Sequence, residues 1–315
     1  MLTDAELATI AESPFKADFP LLAANPGLSF LDSAATAQRP AAVLDAERRF
    51  YETMNANPLR GLYRLSVEAT AAIDDARAHV ASFIGAVDDA GKPQGNQIVF
   101  TRNASESLNL VAQTLGRTVV GPGDDVVISI MEHHSNIIPW QQLCREVGAN
   151  LVYLRMDDDY RITPDEVAAK IGPRAKIVSV TQVSNVLGVE NDVAAIGRRA
   201  HEMGAYFVVD GAQSVPHVHV DVRAIGCDLM AFSAHKLGGP MGIGVLWGTS
   251  EVLDAMPPFL TGGEMIDSVT ETDAVWAPVP QKFEAGTQDA AGIYAFAADL
   301  TYLESIGMVK VEERE

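Results

Sequence analysis

Between about Gln97 and Thr249 the chain alternates short runs of β-branched and other apolar residues with longer amphipathic segments. The short runs predict strands over Ile98–Phe100, Asp125–Ser129, Leu151–Leu154, Lys176–Thr181, Tyr206–Val209, Leu229–Phe232 and Gly244–Trp247. Apolar residues at helical spacing predict helices over Ala104–Leu115, Thr163–Ile171 and Val193–Met203, each opening on polar or acidic residues and followed by Gly. Strand and helix in alternation imply parallel βαβ units, with both faces of the sheet covered. Val87–Asn96 and Gly262–Pro280, rich in turn formers and acidic residues, read as surface loops. From Gly292 to Glu315 a last helical pattern carries Ile293, Phe296, Leu300 and Leu303.

Composition narrows the class of protein. With 315 residues, 48% of them hydrophobic, the chain can build one large α/β domain, with or without a small appendage. Its 42 acidic against 23 basic residues give a formal charge of −19, which repels nucleic acid and anionic membranes and favours small-molecule or protein partners. No window approaches the roughly 18 to 20 apolar residues of a membrane span, and the first residues lack a basic stretch leading into an apolar one. Only two cysteines, Cys144 and Cys227, fit a reducing compartment, so a cytoplasmic location is expected.

The densest chemical signal is Phe232-Ser233-Ala234-His235-Lys236-Leu237-Gly238-Gly239-Pro240, directly after an apolar strand. A lysine leaving a strand among small residues can reach a bound aldehyde and form a Schiff base, with Ser233 and His235 as donors to a phosphate. A surface lysine in a Gly-rich turn has the same local sequence, so the company it keeps matters. Asp210, in Val208-Val209-Asp210-Gly211-Ala212-Gln213, ends another strand, where open α/β sheets gather ligand contacts. A carboxylate there can pair with a protonated pyridine nitrogen and Gln213 with a ring hydroxyl, although Asp at a strand end also serves as a helix cap or turn former. His133, in Met131-Glu132-His133-His134-Ser135-Asn136, offers an imidazole for stacking and proton relay. Metal binding by the His pair is disfavoured, because no further ligands stand at a useful spacing. Thr101-Arg102-Asn103-Ala104-Ser105-Glu106-Ser107 reads equally as a phosphate-binding helix start or an ordinary capping box. There is no P-loop motif.

Taken in order, these motifs resemble the aminotransferase class V group of pyridoxal 5'-phosphate (PLP) enzymes, and within it the SUF-type cysteine desulfurases and the related selenocysteine lyases. Phe30-Leu31-Asp32-Ser33-Ala34-Ala35, Arg60-Gly61 with Leu65-Ser66, Val183-Ser184-Asn185-Val186-Leu187-Gly188 and Phe283-Glu284-Ala285-Gly286-Thr287 extend the resemblance over nearly the whole chain from about Phe19. It implies an α/β fold of the PLP-dependent transferase type I, with a mostly parallel sheet flanked by helices. The organisation implied is an N-terminal segment (1–30), a large PLP-binding domain (31–290) and, over 291–315, the start of a helix leading to a C-terminal small domain.

The resemblance further implies Lys236 as covalent anchor of the cofactor, Asp210 under its ring nitrogen, Gln213 on its phenolic oxygen and His133 stacked on the ring. Ala104, Ser105, Ser233 and His235 would form the phosphate cup, with Asn185 near the cofactor and the substrate carboxylate. Thr287 would reach the phosphate of the other subunit in a homodimer. The implied reaction takes sulfur from L-cysteine (or selenium from L-selenocysteine), leaving alanine and a persulfide for a sulfur-acceptor protein in iron–sulfur cluster assembly. In such enzymes the persulfide cysteine lies in a run resembling Arg-x-Gly-His-His-Cys in the small domain, followed by an arginine that binds the substrate carboxylate. That run is absent from these 315 residues, so the sequence reads as a C-terminally truncated relative. Cys144, within a helical stretch, and Cys227, just before an apolar strand, are expected to be core residues.

Overall fold

A computed structural model describes residues 14–59 and 61–314; residues 1–13, Arg60 and Glu315 lie outside the described residues. All seven expected strands form, within a residue or two of their expected bounds. They are β1 (Ile98–Thr101), β2 (Asp125–Ser129), β3 (Asn150–Leu154), β4 (Ala175–Thr181), β5 (Tyr206–Asp210), β6 (Leu229–Ser233) and β7 (Gly244–Gly248). They make one sheet in the order β1-β7-β6-β5-β4-β2-β3. Pairing is parallel from β6 through β5, β4 and β2 to β3. The sheet is mostly parallel, as expected; the exception is β7, which runs antiparallel to both β1 and β6. The connection 234–243 holds only the single turn Ala234–Lys236, too little for the crossover that a parallel neighbour needs. Because β7 is reversed, β1 and β6 point the same way, and Thr101 and Ser233 both sit beside Gly244.

The helices follow their capping chemistry. Thr163 and Asp192 accept hydrogen bonds from Glu166 N (3.3 Å) and Ala195 N (2.9 Å), opening helices Pro164–Lys170 and Val193–Glu202. The helix expected to close after Leu115 instead passes at Val111 into a π-helical turn, Ala112–Gly116, and runs on to Val119. Gly116 is buried against Leu143 inside this extension and ends nothing. In the stretch expected as loop, Ile266–Val269 (β8) and Ala274–Trp276 (β9) form an antiparallel hairpin closed by Thr270 and Asp273. Its strands are short and mostly exposed, so they lack the apolar alternation that would have marked them.

Two further helices, Ala41–Thr53 and Arg64–Phe83, pack with helix Ala290–Ile306 beside the sheet. The last expected pattern is borne out: Ile293, Phe296, Leu300 and Leu303 are buried in the core shared with Phe232 and Val245. Gly307 ends that helix and a short turn, Met308–Glu312, follows. The opposite face of the sheet is covered by Leu108, Trp140 and Leu143 with Val126, Ile128 and Leu246. No helix among the described residues is long and apolar enough to cross a membrane.

Candidate active site

Six of the seven strands share one direction, so their C-terminal ends collect at one edge of the sheet, where ligands of open α/β folds bind. A cavity of about 500 Å³ opens there. It is lined by Ala104, Ser105, His133, Asn185, Asp210, Ser233, His235 and Lys236, eight of the ten site residues expected from sequence. The β5 and β6 ends supply Asp210 and Ser233, and the turn after β6 supplies His235 and Lys236.

The helix start at Ala104 is held against β6 and β7. Ala104 N donates to Ser233 Oγ (2.8 Å), and the approach to β7 is so close that a Cβ on Gly244 would stand 2.4 Å from the Asn103 Cα. Glycine at 244 is therefore required by contact, not by turn geometry. Capping chemistry is present as well: Asn103 Oδ1 accepts Glu106 N (2.9 Å) and the Glu106 carboxylate accepts Arg102 N. The capping reading of this segment is therefore borne out.

The cavity sets an amine of lowered basicity with a buried carboxyl and two imidazoles. Burial pushes the Asp210 carboxyl upward, against the Ala212 amide and the charge of Lys236, both of which favour its ionised form. Asp210 Oδ1 accepts Ala212 N at 2.9 Å. Burial lowers the Lys236 ammonium, with Asp210 opposing, so more of the amine stands unprotonated and nucleophilic than in water. The imidazoles of His133 and His235 are lowered by burial and by Lys236. Ser135 N donates to His133 Nδ1 (3.2 Å), which puts the proton of the neutral ring on Nε2. His235 faces Thr36 Oγ1 (3.2 Å), itself held by Arg39 Nη1 (3.2 Å), while Ala37 N donates to the His235 carbonyl (3.0 Å).

Two expected residues lie off the cavity wall. Gln213 is buried and donates through Nε2 to Ala34 O (2.8 Å), holding the segment that forms one wall. Thr287 is exposed and lines a different cavity with Arg102 and Phe283. The cavity also takes Asp32, Ala34, Ala35, Asn103, Ala212 and Ser135, to which no role was assigned from sequence. For Asp32 to Ala35 the only signal was likeness to a family motif. Among the described residues no group of three or more His, Cys, Asp and Glu side chains is arranged to hold a metal ion.

The family pattern of class V aminotransferases matches residues 29–315. The chain belongs to that family. A cysteine desulfurase of Klebsiella pneumoniae is 45% identical over 98% of this chain and 75% of its own length. One from Haloferax volcanii is 45% identical over 95% and 73%. Among solved structures, the S-sulfonic acid form of an Escherichia coli cysteine desulfurase is 38% identical and superposes with a TM-score of 0.85, covering 94% of this chain and 72% of that one. The apo enzyme of Thermococcus onnurineus is 39% identical, with a TM-score of 0.89 over 95% and 72%. This class V chain accordingly spans about three quarters of the relatives it matches. Both its cysteines are buried and free, and neither lines the cavity. Burial pushes the Cys144 thiol up to about 11 and the Cys227 thiol higher still, as expected of core residues.

Proposed function

We propose that the chain works as a PLP-dependent cysteine desulfurase and carries the cofactor-binding and substrate-activating part of that reaction. The observation that carries the reading is the convergence of the Lys236 amine, the buried Asp210 carboxyl and the His133 imidazole on one cavity, in a chain of this family. The donor set fits the cofactor: an amine for an aldehyde, a carboxylate for a ring nitrogen, and a helix start with Ser105, Ser233 and His235 for a phosphate. When bound, PLP supplies an electron sink for the bonds at the substrate's α-carbon.

The protein's own residues do the rest. Lys236, with its lowered basicity, holds the cofactor and exchanges protons at the α-carbon. Asp210 would pair with the ring nitrogen and favour its cationic form, and Gln213, whose Nε2 holds Ala34 O, would stand on the side of the phenolic oxygen. His133, neutral with its proton on Nε2, covers the ring and relays protons. Asn185, exposed at the rim, meets the substrate carboxylate. Neither Cys144 nor Cys227 is placed to attack the substrate sulfur.

A homodimer completes the reading. Thr287 is exposed and is not part of its own chain's cavity lining, and Leu31, Leu62, Tyr63 and Val67 are exposed apolar residues that a second copy would cover. A large domain over 31–290, a cytoplasmic setting for two reduced thiols, and delivery of sulfur to an acceptor protein for iron–sulfur assembly belong to the same proposal.

The test is an absorbance spectrum with added PLP for wild type and Lys236→Ala, followed by L-cysteine in deuterated water. The expected result is a Lys236-dependent band that shifts with L-cysteine, together with loss of the cysteine α-proton signal by NMR. A wild-type spectrum equal to that of free PLP would sink the proposal.

A further inference from the structure

Beneath the cavity, the carboxyl of Glu132 is buried and takes part in a closed set of hydrogen bonds. Its Oε1 accepts Thr181 N (2.9 Å) and the Ser129 hydroxyl, and its Oε2 accepts Asn136 Nδ2 (2.6 Å). The orientation of Asn136 is fixed independently, because its Oδ1 already accepts Trp140 Nε1 (2.8 Å) and Ser179 Oγ (2.6 Å). Only an acceptor can face its amide nitrogen.

The partners sit at informative places. Ser129 ends β2, Ser179 and Thr181 lie at the end of β4, and Thr181 pairs in register with Asp210 at the end of β5. Glu132 immediately precedes His133. The carboxyl therefore joins the loop that carries His133 to the strand alongside Asp210, two side chains that both line the cavity. We propose that Glu132 is a positioning residue, fixing His133 relative to Asp210 so that one planar ring can stack on the imidazole while its nitrogen meets the carboxyl. This rests on the cofactor reading above, and it extends that reading to a residue that touches neither ligand nor cavity.

The network makes its own test. Glu132→Gln presents a donor to the Asn136 amide, and Asn136→Asp alone sets two carboxylates face to face. The two substitutions together reverse the polarity of that one bond: the introduced glutamine amide donates to the introduced carboxylate, while every other donor keeps its acceptor. In the cofactor-free protein, the His133 ring signals in a carbon–proton NMR spectrum, assigned by their loss in His133→Gln, report the loop alone. Circular dichroism in the absorption band of bound PLP reports how the ring is seated.

In Glu132→Gln the His133 signals move, the induced dichroism falls, and PLP binding weakens at least about tenfold. In the double variant all three return to within about twofold of wild type. Unmoved His133 signals in Glu132→Gln overturn the proposal, as does a double variant as impaired as the single ones. Should the wild type bind no PLP, the cofactor reading falls, and the His133 signals of the apo protein still decide whether Glu132 holds that loop.

Discussion

Glu132, under the cavity, and Asp299, in the middle of helix Ala290–Ile306 beneath the turn that carries Lys236, are both buried carboxyls pushed up to about 8 chiefly by burial. Their surroundings are opposite. Glu132 receives three hydrogen bonds. Neither oxygen of Asp299 has a well-formed one. Asp299 leans on the Gly239 amide, whose proton is committed to Ala234 O (3.0 Å), and faces Arg39, whose Nη2 is itself buried without a partner. Gly238 is the contact residue here, since a Cβ would stand 2.6 Å from Asp299 Oδ1. A buried carboxyl surrounded by donors fixes geometry and leaves orphans when removed, whereas one without donors can be replaced by a neutral side chain of the same shape.

The Arg77–Glu284 pair carries the comparison to its charged limit and gives the largest expected effect. Both side chains are nearly inaccessible, joined bidentately at 2.7 and 2.8 Å, and Glu284 Oε1 also accepts Phe100 N (2.7 Å). The pair fastens helix Arg64–Phe83 and β1 to the segment that carries Thr287. Arg77→Ala strands a buried charge and should cost about 3–5 kcal/mol in urea unfolding at unchanged slope. A loss under about 1 kcal/mol would show that Glu284 finds other partners or protonates at little cost.

Glu132→Ala comes next. It orphans Thr181 N and Asn136 Nδ2, so a loss of about 3 kcal/mol is expected, with the local defect visible as faster amide exchange at Thr181. If the loss is instead no greater than that for Asp299→Ala, the contrast between the two sites is not one of hydrogen bonding.

The strands and the site were legible in the sequence to different depths, for physical reasons. Buried strands such as Val126–Ile128 and Val208–Val209 announce themselves as short apolar runs, and the motifs at their ends placed eight of ten expected side chains on one cavity. The reversal of β7 was not visible as an apolar pattern, since a strand buried on both faces reads alike in either direction; it lay in the shortness of 234–243. Hairpin β8–β9 is mostly exposed and so carries no burial signal. Glu132 and Asp299 were invisible as special residues because what distinguishes them is supplied by Thr181 and Asn136 in one case and by Arg39 and Gly238 in the other, all distant or unremarkable in sequence.

The remaining expected effect is at Asp299, and its sign is opposite to the other two, because the substitution should stabilise at high pH. An acid whose folded-state value lies at about 8 holds its proton in the native protein over a range where the unfolded chain, titrating at about 3.9, has released it. Native Asp299 then binds more protons than unfolded Asp299, so its contribution to stability falls as pH rises from about 4 to about 8 and is flat beyond. Asp299→Asn removes that slope while keeping the shape. Its loss of attraction to Arg39 matters only where Asp299 would have been ionised, which is where burial penalises it most. Thermal unfolding of the two proteins should therefore nearly coincide at about pH 5 and separate at about pH 9, with the variant higher by at least about 3 °C. A variant less stable at about pH 9 would mean that Asp299 is native as a carboxylate paired with Arg39, and the contrast with Glu132 would reduce to a difference in the kind of partner.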